Sequence, residues 1–181
     1  MDALARAVAA IDGINRWVGR IVSWLTLATV IICGAVVLLR YVAGQGHVWM
    51  QELYVWTHAM TFMLAAGFAY LLNAHVRVDI FYAGLGPRGK AWVDLFGVIF
   101  LLFPWLVLLA WTSWTYVSYS WQTNEISVQN NGMPAMYVLK SALLGFVFLV
   151  ALQGLAWIGR CVLVLAGREP PPVETLTGPL G

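Results

Sequence analysis

Long apolar runs alternate with short polar breaks along most of the chain. Residues 53–74 hold 22 positions without a charge, about 33 Å as a helix, which is enough to cross the hydrocarbon core of a bilayer. Lipid offers no partner to backbone polar groups, so a run of this kind has to be helical. Charged clusters close it on both sides: Arg40, His47 and Glu52 before it, His75, Arg77 and Asp79 after it. The same alternation predicts four spans, at about 17–41, 48–74, 91–119 and 135–165, and an all-α integral membrane fold.

The breaks fill in the rest. Residues 1–19 mix charge with apolar positions Leu4, Val8, Ile11 and Val18, a spacing that suits an amphipathic helix on the membrane surface before the first span. The charged start is long for a cleaved signal, and no small-x-small site follows the run, so an uncleaved signal-anchor helix is expected. Gly44, Gln45, Gly46 and His47 form a tight link. Residues 80–85 suit an interfacial piece, and residues 84–89 turn the chain. The third helix is predicted to kink at Pro104, and its uncharged length of 95–124 requires tilt or projection. Trp111, Trp114, Tyr116, Tyr119 and Trp121 crowd its far end as an interfacial aromatic belt. Residues 122–134 read as an exposed polar loop. The chain divides into a membrane domain, 1–167, and a proline-rich tail, 168–181, expected to be disordered.

Composition agrees with this pattern. The chain is 61% hydrophobic and 10% charged, with a mean hydropathy of +0.80, against about 25% charged in a soluble domain. The net charge of +2 and the lack of a basic run argue against nucleic acid as a partner. Cys33 falls inside an apolar helix and Cys161 near a helix end, and both are expected to be small buried or lipid-facing residues. Arg6, Arg16, Arg20, Arg77, Arg88, Lys90, Arg160 and Arg168 fall on one side of the predicted topology, and Arg40 and Lys140 on the other. By the positive-inside rule both termini are cytoplasmic.

Candidate chemistry is sparse. His58 is the histidine inside a span, and it is expected to pack or hydrogen-bond toward the bundle interior. A bis-histidine haem would need a ligand from another chain, because His47 and His75 fall at opposite faces. Arg40 and Glu52 could pair, meet a neighbouring subunit, or snorkel separately to water. His75, Arg77 and Asp79 suit a junction at the cytoplasmic surface; no nucleophile or metal-ligand set accompanies them as an acid–base site. Residues 65 and 69, and Ser141 and Gly145, have the small-x-x-x-small spacing of close helix approach. Walker, GxSxG, CxxC and HExxH motifs are absent from the sequence. No catalytic, cofactor or metal site is expected.

One combination is more specific: Arg40-Tyr41 closing the first helix, Trp49-Met50-Gln51-Glu52-Leu53 opening the second, His75-Val76-Arg77-Val78-Asp79 after it, and Gly132-Met133-Pro134 through Lys140 before the last. In order and spacing, roughly residues 15–165 resemble the small membrane subunit of tripartite ATP-independent periplasmic (TRAP) transporters, the DctQ-like family. Residues 75–82 look like its mannitol/chloroaromatic subgroup. Where that family often has two acidic residues after the tryptophan, Gln51 takes the first place here. The resemblance implies a non-enzymatic scaffold subunit in a bacterial inner membrane. It implies sodium-coupled uptake of organic acids together with a large elevator-type membrane subunit and a periplasmic binding protein. Arg40, Trp49, Glu52, His58, His75, Arg77 and Asp79 are then expected to serve structure or subunit contact. The outer loop, through Glu125, Gln129, Asn130 and Asn131, is expected to touch the binding protein or to act as a plain connector. The competing expectation is a haem- or quinone-binding anchor of a respiratory complex, and a free-standing membrane enzyme is the third.

Overall fold

The computed structural model describes residues 3–74, 82 and 84–172. Among them all regular structure is helical: α1 (Ala3–Val42), α2 (Val48–Leu64), α3 (Ala66–Leu71), α4 (Pro87–Gly97), a π-helical turn (Val98–Leu102), α5 (Phe103–Gln122) and α6 (Met136–Leu165). Three stretches are long and apolar enough to cross a membrane: Ala3–Val42, Pro87–Gln122 and Met136–Leu165. Their most apolar windows are 6%, 11% and 44% buried, so α6 is the central helix. It packs against α1, α2, α3, α4 and α5.

The expected second span is divided. α2 ends at Leu64, Ala65 stands between, and α3 continues to Leu71. Ala65 keeps a right-handed conformation, and the Ala65 N–H→Thr61 and Ala69 N–H→Ala65 bonds cross the break. The backbone therefore remains satisfied, as a lipid environment demands. Two residues on, Gly67 marks a close approach. A Cβ there would sit 2.1 Å from Asn15 Oδ1 and 3.0 Å from Leu149 Cβ, so the chain has traded helix propensity for close approach to α1 and α6.

Two further expectations change. No break separates a surface helix from the first span; α1 runs for 40 residues, about 60 Å, longer than the bilayer core. Its first half also buries a stripe that shares Val8 with the expected face but is turned toward Asp12 and Asn15. Val8, Asp12, Asn15, Gly19 and Val22 are buried, while Leu4 is exposed. Those buried positions are spaced four, three, four and three apart, the spacing of a helix-packing seam. The third span starts at Pro87, where the missing N–H costs nothing at a first helical position. Pro104 does interrupt regular winding. It follows a π-helical turn that contains Phe100, the residue whose carbonyl a proline ring at position 104 would meet in an α-helix.

Packing is tight where glycine allows it. A Cβ on Gly19 would lie 2.3 Å from Phe68 Cγ, so α1 and α3 meet there without room for a side chain. Trp157 of α6 stacks on Tyr70 with centroids 5.6 Å apart and joins Ala91, Val98 and Cys161 in the core. Ser141 and Gly145 do mark contacts, but to different helices. Ser141 accepts from Trp121 of α5 at 2.9 Å, and Gly145 faces Leu64 of α2. Cys33 is exposed and Cys161 buried, both as free thiols.

Candidate functional site

Two polar constructions stand at opposite ends of α6, named inner (at its C-terminal end) and outer (at its N-terminal end) after the expected topology. The inner one joins α1 to α6. Arg160 donates through both terminal nitrogens to Asp12, one bond at 3.2 Å to Oδ1 and a second to Oδ2. Gln153 donates to the same Asp12 Oδ1 at 3.1 Å and accepts from Asn15 Nδ2 at 2.9 Å. Asp12, Asn15, Gln153 and Arg160 are all buried. The spacing explains the fit: Asp12 and Asn15 are three apart on α1, Gln153 and Arg160 seven apart on α6, so each pair shares a face of its helix. A fork of two N–H groups on one carboxylate is the strong form of a charge-assisted bond.

The outer one shapes the loop before α6. Glu52, in the second turn of α2, accepts from the Ser127 hydroxyl and from the Met133 N–H at 2.5 Å. Ser127 N–H donates to Met133 O at 3.1 Å, and Gln129 N–H to Ser127 Oγ at 3.1 Å. A Cβ on Gly132 would lie 2.7 Å from Glu52 Oε2; only glycine lets the carboxylate approach. Glu125 pairs with Lys140, which also lies over the Tyr116 ring at 4.0 Å. The Lys140 ammonium, with help from Ser120, holds the Glu125 carboxyl below its ordinary value. Asn124 and Asn131 adopt left-handed backbone, which asparagine tolerates, and so does Ala135 at φ 65°, which an alanine resists. A cleft of about 440 Å³ opens beside this clamp, with Gln51, Glu52, Tyr54, Val55 and Gln129 among its lining residues.

A family model described as tripartite ATP-independent periplasmic transporters, DctQ component, matches residues 28–163. The chain belongs to the DctQ family. It is therefore a TRAP-transporter component and a membrane protein, from a transporter family and not an enzyme family. No curated protein and no solved structure gave a match, and the family lends no support to the haem- or quinone-anchor reading. In this DctQ chain the match spans the whole outer clamp but only half of the inner network. Gln153 and Arg160 fall inside it, Asp12 and Asn15 before it.

The residues singled out from the sequence are scattered by the fold. Glu52 does not pair with Arg40; it turns to the loop, and Arg40 is exposed. Trp49 is partly exposed, its ring 6.3 Å from that of His47. His58 is exposed on α2 rather than packed toward the bundle interior, because Thr57 and Trp56 take the inward-facing positions of that turn. Glu125 is paired with Lys140 and stays partly exposed. Gln129, Asn130 and Asn131 are exposed, and Val128 between them and the clamp is 97% exposed. His75, Arg77 and Asp79 lie outside the described residues. The inner network was missed in the sequence. Its signal was available: a polar residue inside an apolar helix faces protein, and Asp12, Asn15, Gln153 and Arg160 are such residues.

Proposed function

We propose that this chain is the small, non-carrier subunit of a sodium-coupled TRAP transporter for organic acids in a bacterial inner membrane. It crosses the membrane four times with both termini in the cytoplasm, residues 48–71 supplying the fourth crossing. It pairs with a large membrane subunit that holds the substrate and ion sites, and a periplasmic binding protein delivers the substrate. The observation that carries this reading, beyond family membership, is how the carboxylates are used. Asp12, Asp94, Glu52 and Glu125 are each bonded to another residue of the chain. A carrier needs polar groups that lie free along a path near mid-membrane, often at broken helices. Here the acidic groups fasten helices and loops instead, which is the work of a scaffold. The junction role of His75, Arg77 and Asp79 at the cytoplasmic surface stays part of the proposal.

Reconstitution tests it. Liposomes holding this chain alone should take up no substrate. Addition of the large subunit and the binding protein should give uptake driven by a sodium gradient. Uptake by the isolated chain would overturn the reading.

A further inference from the structure

The outward face of α2 carries Gln51, Val55, His58 and Phe62, spaced four, three and four residues apart. That is the spacing of a seam against which another helix packs. The other faces of α2 are occupied. Thr57 bonds to Thr29 of α1 at 2.7 Å, and Trp56 is buried. Val55 and Phe62 are 51% and 70% exposed, and His58 between them is exposed as well.

His58 is the odd member of this row. It stands ten residues into α2, about 15 Å along the axis, at mid-depth of a bilayer. The threonines nearby are satisfied inside the chain: Thr29 by Leu25 O, Thr57 by Tyr54 O, Thr61 by Thr57 O. None of the hydrogen bonds among the described residues uses the His58 ring. An imidazole turned to hydrocarbon has no partner there, and ionisable groups in spans almost always face protein or water. The apolar face of α5, with Leu108 and Trp111, carries no such demand and suits lipid. Beside the upper half of the row lies the cleft lined by Gln51 and Val55, open to receive a side chain.

We propose that this row is the seam on which a transmembrane helix of the large membrane subunit packs, with His58 hydrogen-bonded across the interface to a polar group of that helix. The inference rests on the function proposed above, since a tripartite transporter supplies a second membrane component. A second copy of this chain, or lipid, would be a different occupant.

The test uses the complete transporter, with a photo-reactive benzoyl-phenylalanine placed at Val55 or Phe62, and at Leu108 for comparison. Crosslinks should join Val55 and Phe62 to the large subunit and leave Leu108 without one. In parallel, His58→Leu should lower the large subunit that co-purifies by about three- to tenfold, the usual worth of an interhelical hydrogen bond in a membrane. The thermal midpoint of the isolated chain should be unchanged, and His58→Gln should restore most of the loss. Crosslinks from Leu108 but not from α2, with wild-type complex intact, would overturn the seam and spare the proposed function. A crosslink between two copies of this chain, or to lipid alone, would overturn the assigned occupant. A wild-type chain that holds no large subunit would overturn both the seam and the function beneath it.

Discussion

Asp12 and Glu52 are both carboxylates that accept from two different donor residues, yet they sit in opposite settings. Asp12 is buried, and its donors, Arg160 and Gln153, come from a helix more than 140 residues away in sequence. Glu52 is only partly buried, and its donors are a hydroxyl and a backbone N–H of one loop. The inner network closes the chain, fastening its first helix to its last. The outer clamp shapes a surface without holding helices together. A buried pair is dangerous to break, because the partner left behind is an uncompensated charge. A half-exposed clamp can be weakened with water as a substitute partner. The two ends of the molecule should therefore fail in different ways.

The largest expected effect is at the inner end. Asp12→Ala should cost about 3–5 kcal/mol by stranding Arg160, read as a lower thermal midpoint in detergent. Asp12→Leu combined with Arg160→Met should recover much of it, since an apolar pair strands no charge. Tolerance of the single change would mean that this network is not the fastener. At the outer end, Glu52→Gln should cost about 1–3 kcal/mol, the usual penalty for a weakened charged acceptor. Hydrogen exchange should quicken at residues 127–133, with a smaller shift in midpoint than Asp12→Ala gives. An equal shift from both would erase the distinction between fastener and clamp.

Smaller effects sharpen the outer end. Ala135→Gly should stabilise by about 0.5 kcal/mol: relief of left-handed backbone is worth about 1–2, offset by glycine's greater freedom when unfolded. Chemical denaturation would show it. The last is a pH effect. The Glu125 carboxyl is held below its ordinary value of 4.5 by Lys140, so its contribution is present above pH 4.5 and fades as pH falls through the lower folded value. Glu125→Gln should remove this acid-side change by giving, already at neutral pH, the lower loop protection that the wild type shows only in acid.

Three of the apolar spans were legible because lipid thickness dictates their length, and α6 and α5 ended within a few residues of expectation. The break at Ala65 was not, because no proline, glycine or polar residue at that position signals it. The face of α1 was misread in part. Apolar periodicity pointed to the face of Leu4, Val8, Ile11 and Val18; Val8 is buried, but the bonds of Asp12 and Asn15 to α6 accompany a buried stripe turned toward the Asp12, Asn15 and Gly19 side. Glu52 was expected to pair with Arg40, to meet a neighbouring subunit or to reach water, whereas its partners are the Ser127 hydroxyl and a loop backbone N–H, which no residue identity advertises. His58 was expected inside because polar residues in spans seek protein. His58 can obey that rule if the protein it faces belongs to another chain.

A scaffold subunit should be a fixed frame whose inner end never opens. Val8 and Gly159 meet where α1 crosses α6, a Cβ on Gly159 falling 2.7 Å from Val8 Cγ2, so cysteines at both positions are within reach of a disulfide. Sodium-driven uptake by the assembled transporter carrying Val8→Cys and Gly159→Cys should be measured in the oxidised and the reduced state. A fixed frame predicts equal rates in both. Loss of uptake on oxidation, recovered on reduction, would contradict it and make the small subunit a moving part.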